Sequence, residues 1–167
     1  MLPTTYKGVR FRSRAEARWA VAFDKLRLDW DYEPEGFELA HGWYLPDFYI
    51  PYWDAYFEVK GRKPNSSEIL LADDLSVFTW KPVIVTHGPP HPDRSIFEGH
   101  FSTFCPEIDL EDERFADWHV GGFVYGRREH HPECSFHMGN LMFLGCPDGT
   151  DLMKAISSAA SHRFGSS

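Results

Sequence analysis

The sequence predicts an α/β chain of the α+β type, with a mixed central sheet flanked by helices and a small β-rich C-terminal module ending in a helix. Three observations carry this expectation. Apolar residues recur at helical spacing before and after a group of short aromatic and β-branched runs. The order reads helix, three strands, helix, strand, and a meander followed by a helical crossover requires a mixed sheet. A Pro- and Gly-rich break, His87 to Pro92, separates this unit from an acidic second part.

Ser13 to about Arg27 reads as the first helix. Ala15, Trp19, Ala22, Phe23 and Leu26 mark its apolar side, and Ser13 with Glu16 forms a capping-box pattern. Trp30 to Leu39 reads as a first strand, irregular or at an edge because it contains Pro34 and Gly36. Tyr44 to Ile50 and Ala55 to Lys60 read as two strands joined by the tight connection Pro51-Tyr52-Trp53-Asp54. Ser66 to about Phe78 reads as a second helix with Ile69, Leu70, Ala72 and Leu75 on its apolar side. Pro82 to Thr86 reads as a short buried strand. Residues 93–117 read as irregular. Trp118 to Tyr125 and Leu141 to Leu144 read as short strands, and Thr150 to Phe164 as a terminal helix capped by Thr150. The expected division is a core over residues 1–90 and, over 91–167, an acidic linker, a small ribbon-like module and the C-terminal helix.

Composition narrows the classes. A chain of 167 residues with 43% hydrophobic and 16% aromatic residues can close a core, so wholesale disorder is excluded. No apolar run approaches the roughly 18 residues of a membrane span. Three cysteines are too few for a disulfide framework, so a cytoplasmic setting is expected. The net charge of −8 argues against a generic nucleic-acid coat, but it is unevenly spread. Residues 1–28 carry seven basic and two acidic side chains, net +5, and residues 64–167 carry seven basic and fifteen acidic, net −8. The basic stretch offers Arg10, Arg12, Arg14 and Arg18 to phosphates. The acidic second half suits a solvated face or a basic protein partner.

The chemistry concentrates in Tyr44-Leu45-Pro46-Asp47-Phe48 and Tyr56-Phe57-Glu58-Val59-Lys60-Gly61. Residues two apart in a strand share a face, so Glu58 and Lys60 point the same way. A symmetric hairpin around Tyr52 and Trp53 sets Ile50 opposite Ala55 and therefore Asp47 opposite Glu58. Two carboxylates so placed, among aromatic residues, repel at a cost. A divalent cation between them removes the conflict, and hard oxygen donors suit Mg²⁺ or Mn²⁺. Lys60 beside them suits a water or phosphate role. Glu16 borders the buried face of the first helix, where a capping carboxylate can also serve a metal. Glu33 and Glu35 read as edge or loop acids near the same sheet.

This set resembles the PD-(D/E)XK nucleases of the restriction-endonuclease-like superfamily, in the compact flavour of phage and transposon-type enzymes. Pro46-Asp47 matches the PD element, Glu58-Val59-Lys60 matches (D/E)XK, and Glu16 matches the helix-borne acid that many members carry. The resemblance covers residues 5–88. It implies a Mg²⁺-dependent endonuclease in a bacterial or phage-infected cell, acting on DNA, with double-stranded DNA favoured and a homodimer suited to cutting both strands. It further implies that Asp47, Glu58 and the Val59 carbonyl ligate the metal, with Glu16 completing the shell. Lys60 then steadies or activates the attacking water. The alternative on the same fold is a catalytically silent or partner-dependent DNA- or protein-binding protein, as in a phage regulatory or anti-defence role. In the second part, Cys134, His137 and Cys146 resemble a zinc ribbon that has lost ligands. Four ligands are needed for structural Zn²⁺, and ordinary buried cysteines are the plainer expectation.

Overall fold

A computed structural model describes residues 3–91, 101–104 and 152–165. The chain opens with an antiparallel hairpin, β1 (Thr4–Tyr6) and β2 (Val9–Phe11). Its two turn residues, Lys7 and Gly8, both have positive φ (48° and 80°), the backbone twist that a two-residue hairpin loop requires. Sequence reasoning treated this stretch only as basic.

Helix α1 (Arg14–Lys25) follows, with Ser13 as its N-cap. Its buried side runs from Glu16 through Trp19 and Ala20 to Phe23. The expected strand Trp30 to Leu39 is two strands in different sheets: β3 (Asp31–Tyr32) and β4 (Phe37–Leu39). Glu33 takes φ 48° and Pro34 follows it, so the chain turns out of the first sheet there. The expected strand Tyr44 to Ile50 divides in the same way, into β5 (Gly42–Tyr44) and β6 (Phe48–Ile50) around Pro46, which has no N–H to donate. β4 and β5 form a separate hairpin that packs on α2.

A single 3₁₀ turn (Pro51–Trp53) and Asp54, with φ 48°, lead into β7 (Ala55–Lys60). The predicted register holds: Phe48 pairs with Phe57, Tyr49 with Tyr56 and Ile50 with Ala55. Helix α2 (Ser66–Thr79) crosses over to β8 (Val83–His87), which runs parallel to β7. Asn65 and Glu68 form a complete capping box at its start. Leu70, expected on its apolar side, is exposed, as are Val77 and Phe78; Ala72 and Leu75 carry the contact with the sheet.

Two elements beyond residue 90 pack on those before it. Strand β9 (Phe101–Phe104), where irregular chain was expected, pairs antiparallel with β8. Helix α3 (Leu152–Ser161) packs against α1, and its Ala155, Ile156 and Ala159 are buried in the same core as Phe23 and Phe57. The expected Thr150 cap lies outside the described residues. So do the strands at 118–125 and 141–144, the acidic run, and Cys134, His137 and Cys146.

The result is a mixed five-stranded sheet in the order β3-β6-β7-β8-β9, antiparallel except between β7 and β8. The fold is thus α+β with a mixed sheet. One face buries Phe48, Phe57 and Ile84 under α1, α3 and the β1–β2 hairpin. The other buries Tyr56, Val83 and Val85 under α2 and the β4–β5 hairpin. Among the described residues no helix is long and apolar enough to cross a membrane.

Candidate active site

The alternation of β7 follows directly from its sequence. Phe57 and Val59 enter the α1-side core, while Tyr56 enters the α2-side core. Glu58 and Lys60 share the parity of Tyr56, and their side chains meet: Lys60 Nζ donates to Glu58 Oε1 at 2.6 Å. Asp47 stands immediately before β6, at the position that continues the β6–β7 register to Glu58. The two acids hold each other through the backbone. The Asp47 N–H donates to Glu58 Oε2 at 3.1 Å, and the Val59 N–H donates to Asp47 Oδ2 at 2.8 Å. Both acids are buried, at 3% and 4% exposure. Val59, named for its carbonyl, contributes its N–H here.

Burial pushes the Asp47 carboxyl well above the usual carboxylate range, and the charges of Glu58 and Glu16 push it further. The Val59 N–H and Arg12 act in the opposite direction without offsetting this. The repulsion expected between facing carboxylates is therefore present at Asp47.

Arg12 supplies the nearest compensation. Its Nη2 donates to Asp47 Oδ1 at 2.5 Å, and its Nε lies 2.7 Å from Glu33 Oε1. Burial works against the Arg12 charge, but Asp47, Tyr32 and Glu33 outweigh it and raise its pKa. Expected at phosphates, Arg12 instead spans two acids of the site itself. Glu33 reaches it because its positive-φ turn also lets its N–H donate to the Asp47 carbonyl, at 2.9 Å.

Glu16 is buried beside this cluster, with its oxygens held locally. Ser13 Oγ donates to Oε1 at 2.6 Å, while the Tyr32 hydroxyl and the Arg12 N–H donate to Oε2 at 2.7 and 3.1 Å. The helix cap thus closes through the Ser13 hydroxyl and the Arg12 N–H. Glu16 is close enough to act on Asp47 electrostatically, yet among the described residues no three His, Cys, Asp or Glu side chains gather as a metal-ligand group.

The other predicted arginines are freer. Arg10 on β2 and Arg14 at the start of α1 are exposed. Arg18, one turn further along α1, lies over the Phe164 ring at 6.0 Å, with its Nε buried and without a hydrogen-bond partner. Burial and the neighbouring Arg14 lower its pKa. The N-terminal part of α1 is tied to the carboxyl ends of the central strands: the Trp19 indole N–H donates to the Gly88 carbonyl at 3.0 Å, and the Gly88 N–H donates to the Lys60 carbonyl at 2.7 Å.

Sequence reasoning missed Tyr32 and Tyr44. Tyr32 bridges Arg12 and Glu16. Tyr44 is buried under the Lys60 ammonium, which lies 5.6 Å from its ring centroid. Nothing local marks either, because each is an aromatic residue in an aromatic strand.

Four carboxylates (Asp47, Glu58, Glu16 and Glu33) are thus linked in one network with two cations, Arg12 and Lys60, a formal excess of two negative charges, although no three of the acids converge on one point. Such a cluster can take up a divalent cation, or it can persist as an ion-pair network. Compared with models of protein families, with curated proteins and with solved structures, the chain matches none.

Proposed function

We propose that the chain is a metal-dependent nuclease with a restriction-endonuclease-like core, hydrolysing phosphodiester bonds of DNA. The observation that carries this reading is the buried pair Asp47 and Glu58 on adjoining strands, with the Lys60 ammonium on Glu58 Oε1. The donor set fits Mg²⁺ or Mn²⁺. It consists of hard oxygens, and it sits in a network with a formal excess of two negative charges that a divalent cation offsets. Asp47 Oδ1 and Glu58 Oε1 would hold the ion, in the places that Arg12 and Lys60 now occupy. When bound, the ion supplies polarisation of the phosphate and a lowered pKa for water.

The remaining roles belong to side chains. Lys60, released from Glu58, has three donors for a phosphate oxygen or the attacking water. Arg12, released from Asp47 but still beside Glu33, points its planar fork at the same place. Arg10, Arg14 and Arg18 have no acid partner among the described residues, so they offer contacts that position a duplex without reading its sequence. Glu16 acts from the edge by fixing Tyr32 and the Arg12 backbone.

A second reading has an observation in its favour. Each of the four oxygens of Asp47 and Glu58 already accepts a hydrogen bond from the protein. A catalytically silent DNA-binding protein on this fold would keep such a network as structure.

One experiment separates them. Mn²⁺ and Mg²⁺ are titrated into the full chain by calorimetry, and supercoiled, linear and single-stranded DNA are incubated with it in Mg²⁺, Mn²⁺ or EDTA. The nuclease reading expects saturable metal binding that Asp47→Ala abolishes. It expects cleavage that Lys60→Ala removes while leaving metal binding in place. A flat isotherm with the DNA left intact in Mg²⁺ and Mn²⁺ would favour the silent protein.

A further inference from the structure

We propose that Tyr44 is a positioning residue of this site: its hydroxyl donates to the Glu58 carboxylate when the ion displaces Lys60 from Oε1, and so keeps Glu58 in its ligating orientation. The inference rests on the metal-dependent reading above.

Tyr44 ends β5, on the hairpin that packs against α2, and is 6% exposed. Its Oη is buried and makes no well-formed hydrogen bond in the protein, although Glu58 is near enough to act on it. A buried hydroxyl without a partner loses its hydration and recovers nothing, so natural cores rarely keep one. Packing does not account for it, since a phenylalanine fills the same space among Phe37, Tyr56 and Leu75 without that loss.

The surroundings of the hydroxyl indicate what it serves. The Lys60 ammonium lies 5.6 Å from the Tyr44 ring and 2.6 Å from Glu58 Oε1, so one cation links the phenol to the carboxylate. A phenol keeps its proton at neutral pH, so the group is a neutral donor on the side of the site where Lys60 holds Glu58. With the ammonium on Oε1 the carboxylate is satisfied and the phenol is left over. With the ion in place of the ammonium, the Glu58 carboxylate has lost a hydrogen-bond donor, and the phenol can supply one to a lone pair that the ion leaves free. Outer partners of this kind fix the orientation of a ligand carboxylate, and removing one typically costs about 10–100-fold in metal affinity.

The test is Tyr44→Phe in the full chain, with Mn²⁺ affinity measured by calorimetry and thermal unfolding followed in EDTA. The expected result is a melting temperature at least equal to wild type in EDTA, because an unpartnered buried donor has gone. Mn²⁺ affinity should fall about 10-fold or more. A variant that binds Mn²⁺ as tightly as wild type overturns the role of Tyr44 and leaves the metal site standing. A melting temperature below wild type in EDTA also overturns it, since the hydroxyl is then already partnered in the free protein. If the wild type binds no Mn²⁺, the metal-dependent reading fails and this inference fails with it.

Discussion

Arg12→Ala tests the electrostatics of the site most directly. The substitution removes the guanidinium from Asp47 Oδ1, at 2.5 Å, and from Glu33 Oε1, at 2.7 Å. Removing one partner of a fully buried pair costs about 3–5 kcal/mol, because the other charge is left without compensation. Exposed pairs are worth about 0.2–1 kcal/mol. This pair lies between: Asp47 is buried, but the Arg12 side chain is 52% exposed and solvent screens it. A loss of about 1–2 kcal/mol at pH 7 follows, which for a chain of this size is about 2–8 °C in melting temperature. The sign of the pH dependence is fixed by Asp47. Its folded-state pKa is raised, so ionising it costs stability as pH rises from the ordinary carboxylate range toward the folded value. Without Arg12 that pKa rises further, so the deficit of the variant should shrink as pH falls through the raised folded-state pKa of Asp47. Arg12→Lys should fall between the two, since an ammonium keeps charge without the fork that spans both acids. Mg²⁺ should raise the melting temperature of Arg12→Ala more than that of wild type, having no guanidinium to displace. Thermal unfolding in a series of buffers from the ordinary carboxylate range up to alkaline pH, with and without Mg²⁺, reads all of this. A deficit that stays the same across the whole series would refute the electrostatic account of Asp47, and an equal Mg²⁺ effect would refute the competition.

Other perturbations address the scaffold. Phe23 is 1% exposed and its ring lies 5.0 Å from Phe57 and 5.4 Å from Phe48, so Phe23→Ala should cost about 3–5 kcal/mol in urea unfolding. Gly88 has φ 74° with open space around its Cα, so Gly88→Ala should cost about 1–2 kcal/mol from backbone strain alone; a neutral result would mean the α1–β7 tie relaxes freely. Lys81 and Tyr49 lower the Asp54 pKa, so the Asp54–Lys81 pair stabilises above the ordinary carboxylate pKa and is lost as pH falls through the depressed value. Asp54→Asn, which tolerates the positive φ, should therefore cost about 0.2–1 kcal/mol at pH 7 and progressively less in acid, in denaturant titrations at each pH. Asn65→Ala, which opens the α2 capping box, should cost about 0.5–2 kcal/mol by the same measurement.

By itself the sequence determined what depends on neighbouring residues. Helical spacing and the Ser13 cap located α1, and the apolar runs located β7 and β8. The short connection after Ile50 set the β6–β7 register, because a tight turn leaves few ways to pair the strands; this brought Asp47 opposite Glu58, and strand alternation put Lys60 beside Glu58. Tertiary structure decided the rest, since it turned on which elements pack together. The run from Trp30 to Leu39 reads as one strand, yet it divides between two sheets because α2 has an apolar surface for the β4–β5 hairpin to cover. Arg12 meets Asp47 across 35 residues, and Tyr32 meets Glu16 across 16. Tyr44 lies under the Lys60 ammonium with its hairpin packed on α2, and α3 returns to α1 from the far end of the chain. Local periodicity carries no information about such partners. The Arg12 charge that offsets Asp47 is therefore visible only once the sheet and the start of the first helix have come together.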